Sequence, residues 1–169
     1  MSDPLSDVLP EPRMKIVLVT PEIPYNTGAI GRSCVALNLE LILIRPYGFS
    51  LDEKAVRRAG TDYWKYVELS EYDSWQDFLK ARRPEPEQLF FFEEHGARTF
   101  YEADYKRDGY LVFGCESKGL PPTKHHTLSL HDALPIFNLP MLDRRVRSLN
   151  LANVATAVIY QAMRDQLGG

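Results

Sequence analysis

Short apolar runs, separated by polar, glycine-rich or proline-rich stretches, recur along the whole chain. Most have the length of a strand and lack the alternation of apolar and polar positions that a strand with one wet face would show. They therefore indicate strands that are covered on both faces. The pattern predicts strands at residues 15–20, 39–44, 65–69, 88–93, 110–114 and 137–141.

Segments with helical spacing lie between most of these runs. The last of them places five apolar residues on one stripe, namely Val154, Val158, Ile159, Ala162 and Met163. The second begins at a capping box formed by Ser50 and Glu53. Helices are predicted at about residues 27–38, 50–60, 74–81 and 149–166. Strands that alternate with helices indicate an α/β fold, with a mostly parallel sheet and helices on both of its faces.

The size and composition of the chain favour one domain. With 169 residues and 44% hydrophobic content, it can bury one sizeable core, and we assign residues 14–169 to it. Residues 1–13 contain three prolines and no apolar segment, so they are predicted to be a disordered tail and not a signal peptide. The longest apolar runs are far below the roughly 20 residues that span a bilayer, which argues against a membrane protein.

Cysteine content and net charge limit the classes of function. Cys34 and Cys115 lack metal-ligand spacing and predict free thiols in a reducing cytoplasm. Cys115 is either a catalytic thiol or a small buried filler, of which the second is the more common. The net charge of −3 argues against a nonspecific nucleic-acid binder, because such a protein carries a surplus of basic residues. A polyanion could bind only at a local basic patch, and the candidates are residues 144–147 and the pair Arg57 and Arg58. The alternative interpretation of both patches is solvated surface charge.

A glycine-rich turn follows the fifth predicted strand, in the stretch GYLVFGCESKGLPP at residues 109–122. Gly114 and Gly119 permit backbone angles closed to other residues, and Pro121 and Pro122 donate no ladder hydrogen bond. In open α/β sheets, ligands bind outside the carboxyl ends of the strands. The turn is therefore either a ligand site or a plain structural turn.

The first strand leads into the stretch TPEIPYNTGAIGRSC. Asn26 can cap a helix there, and Gly28 and Gly31 leave its first turn bare, as in helix starts that hold an anion. The G-x-x-G spacing matches neither the dinucleotide fingerprint nor a phosphate-binding loop, which argues against a nucleotide-dependent oxidoreductase. Arg32 on the same helix points either at a ligand or at solvent.

The third stretch, NLPMLDRRVRSLNLANVATAV, joins a strand that ends at Pro140 to the last helix through a basic loop. Ser148, Asn150 and Asn153 are polar where a helix facing the core would carry apolar residues. Helix capping accounts for one or two of them. Three together indicate a site at this place.

The order of PEIPYNTGAIGRSC, FGCESKGLPP and LPMLDRRVRSLNLANVATAVIYQA resembles the SPOUT superfamily of S-adenosylmethionine-dependent RNA methyltransferases. The short chain is most similar to bacterial tRNA (cytidine/uridine-34) 2′-O-methyltransferases, over residues 15–164. The resemblance implies a C-terminal deep trefoil knot, although general topology argues against knots. It also implies a cytoplasmic homodimer that methylates the wobble nucleotide in the anticodon stem-loop of tRNA.

The resemblance further implies which residues form the site. The expected S-adenosylmethionine cradle consists of Phe92, Gly96, Gly114, Glu116, Gly119, Leu139, Met141, Ser148 and Leu149. In the family, the arginine that matches Arg32 is implicated in activating the ribose hydroxyl. Because a guanidinium group rarely loses its proton, we expect Arg32 to clamp the neighbouring phosphate instead. Asn26, Ser148 and Asn150 are expected to order the site.

One segment departs from the family pattern. Residues 123–136 carry paired histidines and a poor helical pattern, where the family runs through a helix. His125, His126, His131 and Asp132 could be drawn as a metal site, but the family needs no metal. A sequence error or a replaced segment is the other interpretation.

Two functional alternatives remain at this point. The chain could methylate another tRNA or rRNA position, or it could be a knotted RNA-binding protein without catalysis. Gly114, Glu116 and Ser148 are intact, which argues against the second alternative.

Overall fold

A parallel sheet forms the centre of the molecule. The computed structural model describes residues 13–51, 63–121 and 134–168. The strands are β1 Lys15–Val19, β2 Glu40–Ile44, β3 Glu68–Tyr72, β4 Leu89–Phe92, β5 Arg98–Thr99, β6 Tyr110–Phe113 and β7 Ile136–Asn138. They lie in the order β3-β2-β1-β6-β4-β7-β5, and all of these neighbours pair in parallel. The predicted parallel α/β sheet is confirmed.

Helices cover both faces of this sheet. They are α1 Pro24–Ala36, α2 Trp75–Arg82, α3 Leu151–Ala162 and α4 Arg164–Leu167. Leu18 of β1 packs in one buried cluster with Ile30 of α1 and Val158 of α3. Val17, on the opposite face of the same strand, packs in a second cluster with Phe78 of α2. The side chains of a central strand are thus buried in both directions, which explains why its sequence shows no alternation.

The strands differ from the sequence prediction at the sheet edges. The strand predicted at 65–69 is displaced by three residues, because Trp64–Tyr66 forms a 3-10 turn and β3 begins only at Glu68. β3 is an edge strand, and its polar sequence ELSEY gives no apolar run to detect. The last strand ends at Asn138, before Pro140, which has no N–H for a ladder. β5 was missed because two residues carry no periodicity.

The helix starts explain most of the remaining differences. α1 begins at Pro24, and its N-cap residue, Ile23, makes no side-chain cap. Asn26 therefore lies inside the helix, and its predicted capping role is wrong. α3 begins after Asn150, whose Oδ1 accepts hydrogen bonds from the N–H groups of Ala152 at 2.9 Å and Asn153 at 3.3 Å. The predicted cap of the last helix is confirmed at Asn150.

Several sequence-based predictions fall outside the described residues. They are the helix at 50–60 with its capping box, Arg57 and Arg58, the histidine cluster, and the tail before Arg13. The chain between Pro121 and Leu134 is also outside, so the knot stays a prediction. No helix in the described ranges has the length and apolar character needed to cross a membrane.

Candidate active site

A cavity of about 750 Å³ lies at the carboxyl ends of β4, β6 and β7. Its volume is typical of small-molecule sites. One wall is aromatic, where the rings of Phe92 and Phe113 stack with centroids 5.0 Å apart and Phe137 lies beside them. The cavity is next to the boundary between β1 and β6, where the strand order reverses, which is where ligands bind in open α/β sheets.

Most residues expected at the site meet in this cavity. Those that line it are Asn26, Phe92, Gly114, Glu116, Gly119, Leu139, Met141, Ser148, Leu149 and Asn150. Arg32 and Gly96 are not among the described lining residues. Four ionisable residues that sequence reasoning missed also line the cavity, namely Glu93, Glu94, His95 and Lys118, as does Arg147 of the predicted basic patch. Their only sequence signal is that each lies close to one of the predicted strand ends or motifs.

Glu116 ties the loop after β6 to the start of α1. Its carboxylate accepts hydrogen bonds from the backbone N–H groups of Glu22 at 2.8 Å and Ile23 at 3.0 Å. These N–H groups precede the helix and have no partner within it. A carboxylate at a helix N-terminus is also favoured by the helix dipole. Glu116 thus acts as the cap of α1 that Asn26 does not provide, which the sequence did not reveal.

Asn26 extends this connection to α3. The side chain is buried, with 2% of its surface exposed, and its Nδ2 donates to Oε1 of Glu116 at 3.3 Å. Its Oδ1 accepts a hydrogen bond from Nδ2 of Asn150 at 3.1 Å. Since Asn150 also caps α3, one chain of hydrogen bonds joins the loop after β6 to the starts of two helices. Ser148, beside this chain, is exposed at the cavity.

A second contact joins the same two segments through Glu22. Ser117 Oγ donates a hydrogen bond to Glu22 Oε1 at 2.6 Å. Hydrogen bonds from Cys115 and Ser117 lower the pKa of Glu22. Burial, and then the contact with Glu22, raises the pKa of Cys115, and burial raises the pKa of Cys34. Both thiols are free, and the raised pKa of Cys115 disfavours the thiolate that a catalytic cysteine needs, although Cys115 lines the cavity.

The glycines in and beside the loop at residues 115–119 are required by the backbone conformation and by close backbone contacts. Cys115 N–H donates to the carbonyl of Gly119 at 3.2 Å, and Gly119 N–H donates back at 2.9 Å. A Cβ atom at Gly114 would lie 2.0 Å from the carbonyl carbon of Gly119, and Gly119 itself has a φ of 64°. Gly96 packs just as closely on Phe137, where a Cβ atom would lie 2.6 Å from a backbone carbon. Glycine at Gly114 and Gly96 is thus required by contacts within the protein.

The face of α1 that carries Gly28 and Gly31 is covered by the segment that contains Tyr63 and Trp64. A Cβ atom at Gly31 would lie 2.7 Å from the Trp64 ring, and the Tyr63 hydroxyl donates to the carbonyl of Gly28 at 3.0 Å. The exposed guanidinium group of Arg32 lies over the Tyr63 ring, with its carbon 5.2 Å from the centroid. Tyr63 and Trp64 thus occupy the space beside Gly28 and Gly31, where a bare helix turn was expected to hold an anion.

The arrangement of sheet, cavity and connecting loops matches known proteins. Residues 13–160 match the family described as SpoU rRNA Methylase. The chain belongs to this family. A tRNA (cytidine(34)-2′-O)-methyltransferase of Acidovorax sp. (strain JS42) is 38% identical to this member of the family over 150 residues, which are 89% of this chain and 90% of the relative.

Two solved structures share the fold of this SpoU family member. One, solved for structural insights into the 2-OH methylation of C/U34 on tRNA, is 40% identical with a TM-score of 0.82 and covers 93% of this chain and 98% of its own. The other is the SpoU methyltransferase AviRb from Streptomyces viridochromogenes in complex with the cofactor AdoMet. It is 26% identical, with a TM-score of 0.77, over 95% of this chain and 63% of its own. The family predicted from the three motifs is confirmed.

Proposed function

We propose that this protein transfers a methyl group from S-adenosylmethionine to the ribose 2′-hydroxyl of the wobble nucleotide, cytidine or uridine 34, of tRNA. The observation that carries the proposal is the cavity at the strand ends, whose polar edge is joined through Asn26 to the helix that carries Arg32. The relatives that act on C34 or C/U34 support the choice of substrate.

The lining of the cavity fits S-adenosylmethionine. Phe92, Leu139 and Met141 provide an apolar wall for an adenine ring, and Lys118 and Glu94 provide opposite charges for the amino acid end. When bound, this cofactor supplies an electrophilic methyl group on a positively charged sulfur. Glu116 is already engaged by α1, so we assign it to shaping the site and not to binding the ligand's charge.

The remaining residues position the RNA. Arg32 is exposed, and because a guanidinium group stays charged in proteins, it serves as a clamp for the phosphate beside the reacting ribose. A fixed phosphate holds the 2′-hydroxyl in line with the group it attacks. The hydrogen bond between Asn26 and Asn150 fixes the mouth of the cavity. The Ser148 hydroxyl lies there and is available to the ribose.

We also propose a homodimer. Arg32 is not among the described residues that line the cavity of its own chain, which supports a site completed by a second copy. Tyr25 at the start of α1 and Tyr160 on α3 expose 66% and 53% of their surface. Apolar surface on both helices suits an isologous interface, in which the same patch serves both subunits. Light scattering should give twice the chain mass, and a fully active monomer would contradict the dimer.

The knot and the location complete the proposal. A trefoil knot formed by the chain after β6 would hold the 115–119 loop and the loop at 139–150 against each other around the cavity. The free thiols of Cys34 and Cys115 suit the cytoplasm, where tRNA is modified.

Mapping of 2′-O-methyl nucleosides by mass spectrometry tests the proposed function. Bulk tRNA lacking the modification is incubated with the purified protein and S-adenosylmethionine, and a new methyl group is expected at position 34. A methyl group elsewhere in tRNA or only in rRNA would overturn the choice of substrate. Binding of tRNA without any transfer, together with no binding of the cofactor in calorimetry, would identify a non-catalytic RNA-binding protein.

A further inference from the structure

Tyr63 contacts α1 at two points. Its hydroxyl donates a hydrogen bond to the carbonyl of Gly28 at 3.0 Å, and its ring lies under the guanidinium group of Arg32 at 5.2 Å. Burial raises the pKa of Tyr63, against the effect of the Arg32 charge, so the phenol keeps the proton that it donates. One end of the side chain is thus fixed to the helix while the flat face meets the cation.

The neighbour of Tyr63 fixes the backbone of this segment. Trp64 packs so closely on Gly31 that even a methyl group there would lie 2.7 Å from its ring. The two aromatic residues therefore contact α1 at Gly28, Gly31 and Arg32, which lie within about one turn on the same face of the helix. The contacts of the Tyr63 hydroxyl and of the Trp64 ring help to hold the Tyr63 ring beside Arg32.

We propose that Tyr63 is a positioning residue for Arg32, which it holds ready to receive an RNA phosphate. This inference rests on the proposed function, because it concerns the same methyl transfer. A long exposed arginine side chain loses considerable conformational freedom when it binds, and a ring that holds the guanidinium plane beforehand reduces that loss.

An aromatic ring suits this task better than a carboxylate. It attracts the cation through its face and leaves the N–H donors of the guanidinium group available for phosphate oxygens. A carboxylate would occupy those donors and neutralise the charge. Among the described residues, the structure shows no ion pair to Arg32, in contrast to Arg45 and Arg82, which each pair with acidic side chains.

A double-mutant cycle in single-turnover methylation tests the inference. Wild type, Tyr63→Leu, Tyr63→Met, Tyr63→Phe and Arg32→Ala are compared on tRNA with labelled cofactor, together with Tyr63→Leu and Tyr63→Met in the Arg32→Ala background. Loss of the ring should slow transfer about three- to tenfold with cofactor affinity unchanged, whereas Tyr63→Phe, which keeps the ring, should stay within about threefold of wild type. In the Arg32→Ala background the same substitutions should change the rate less than about twofold.

Tyr66→Leu is the matched control. Tyr66 also lies under a cation, with Lys65 Nζ 5.0 Å from its ring centroid, but the described residues show no cation–π contact between Tyr66 and Arg32. Its rate should equal that of wild type. Equal losses from Tyr63→Leu with and without Arg32 would show a structural role and overturn the inference, as would no loss at all. If Tyr63→Leu does not fold, Tyr63→Met decides. A wild-type protein without transfer activity would overturn the proposed function as well.

Discussion

Asn150 donates a hydrogen bond from Nδ2 to Oδ1 of Asn26 at 3.1 Å, and Asn26 donates from its own Nδ2 to Glu116. The Asn26 amide therefore uses its acceptor on one side and its donor on the other. The direction of these hydrogen bonds is fixed, because the Glu116 carboxylate can only accept. Asn26 therefore turns its Nδ2 to Glu116 and its Oδ1 to Asn150, which must donate.

Asn150→Asp should break this order while keeping the helix cap. An aspartate still accepts from the N–H of Ala152, but it presents an oxygen to Oδ1 of Asn26, so one buried polar group loses its partner. We expect a loss of about 1–3 kcal/mol in unfolding free energy at pH 7, measured by urea denaturation. Asn150→Ser also removes the Nδ2 donor but keeps a cap and adds no charge, so it should lose a similar amount and separates the lost hydrogen bond from the added charge. An aspartate variant as stable as wild type would contradict the assigned order.

Gly114→Ala should disrupt the loop at the cavity. The new methyl group would overlap the backbone of Gly119, which cannot move without opening the two hydrogen bonds to Cys115. We expect a loss of about 3 kcal/mol in unfolding free energy and no measurable cofactor binding in calorimetry. At Gly48, a Cβ atom would meet no described atom within 4 Å, so Gly48→Ala should change stability by less than about 0.5 kcal/mol. Normal cofactor binding by Gly114→Ala would disprove the packing argument.

Glu40 should make stability depend on pH on the acid side. Burial acts to raise its pKa, but hydrogen bonds from Arg82 and from Ser70, at 2.6 Å, outweigh it and lower the pKa. A carboxylate with a lowered folded pKa stabilises the protein above the unfolded pKa of about 4.3, and this contribution is lost as the pH falls through the folded pKa.

Glu40→Gln therefore should lower the unfolding free energy by about 1–3 kcal/mol at pH 7 and much less at pH 3. Urea unfolding at several pH values measures this. A difference between the two proteins that is independent of pH would show that the charge of Glu40 contributes nothing.

Sequence reasoning succeeded where the signal is local. The apolar runs of β1 and β6 are visible because both faces of these strands are buried, and Asn150 is a recognisable cap for the helix that follows it. It failed where the cause is a contact between distant segments. Three such contacts depend on the tertiary arrangement of the loops. They are the close approach of Gly114 to Gly119, the capping of α1 by Glu116 and the position of Tyr63 under Arg32. β5 was invisible because backbone pairing with β7 defines it.

Arg32→Ala should separate methyl transfer from cofactor binding. Because Arg32 is not among the described residues of the cavity, its loss should leave cofactor affinity nearly unchanged in calorimetry. Removal of a charge-assisted phosphate contact and of the alignment it provides should raise the barrier by about 2–4 kcal/mol, or on the order of thirty- to a thousandfold in single-turnover rate. Loss of cofactor binding together with activity would place Arg32 in the cofactor site instead.

The basic loop at 144–147 should contribute to tRNA affinity unequally. Arg145 pairs with Asp143 through several hydrogen bonds, whereas Arg147 lines the cavity and Arg144 is exposed. The double variant Arg144→Ala, Arg147→Ala should weaken tRNA binding. It should also reduce the slope of log affinity against log salt concentration by about one for each phosphate that the protein no longer neutralises. Arg145→Ala is the control and should have a smaller effect. Filter binding at several salt concentrations measures both, and an unchanged salt slope in the double variant would argue against phosphate contacts.

The hydrogen bond from Ser117 to Glu22 has a consequence for how this protein can evolve. The two positions lie far apart in the chain, yet the carboxylate of Glu22 receives its hydroxyl partner only if residue 117 supplies one. Threonine at position 117 would keep a hydroxyl for Glu22, whereas alanine would remove this partner and an acidic residue would place a like charge beside the carboxylate. Because both side chains are exposed, water can take the place of the hydroxyl, so this contact favours serine or threonine at position 117 without confining the position to them.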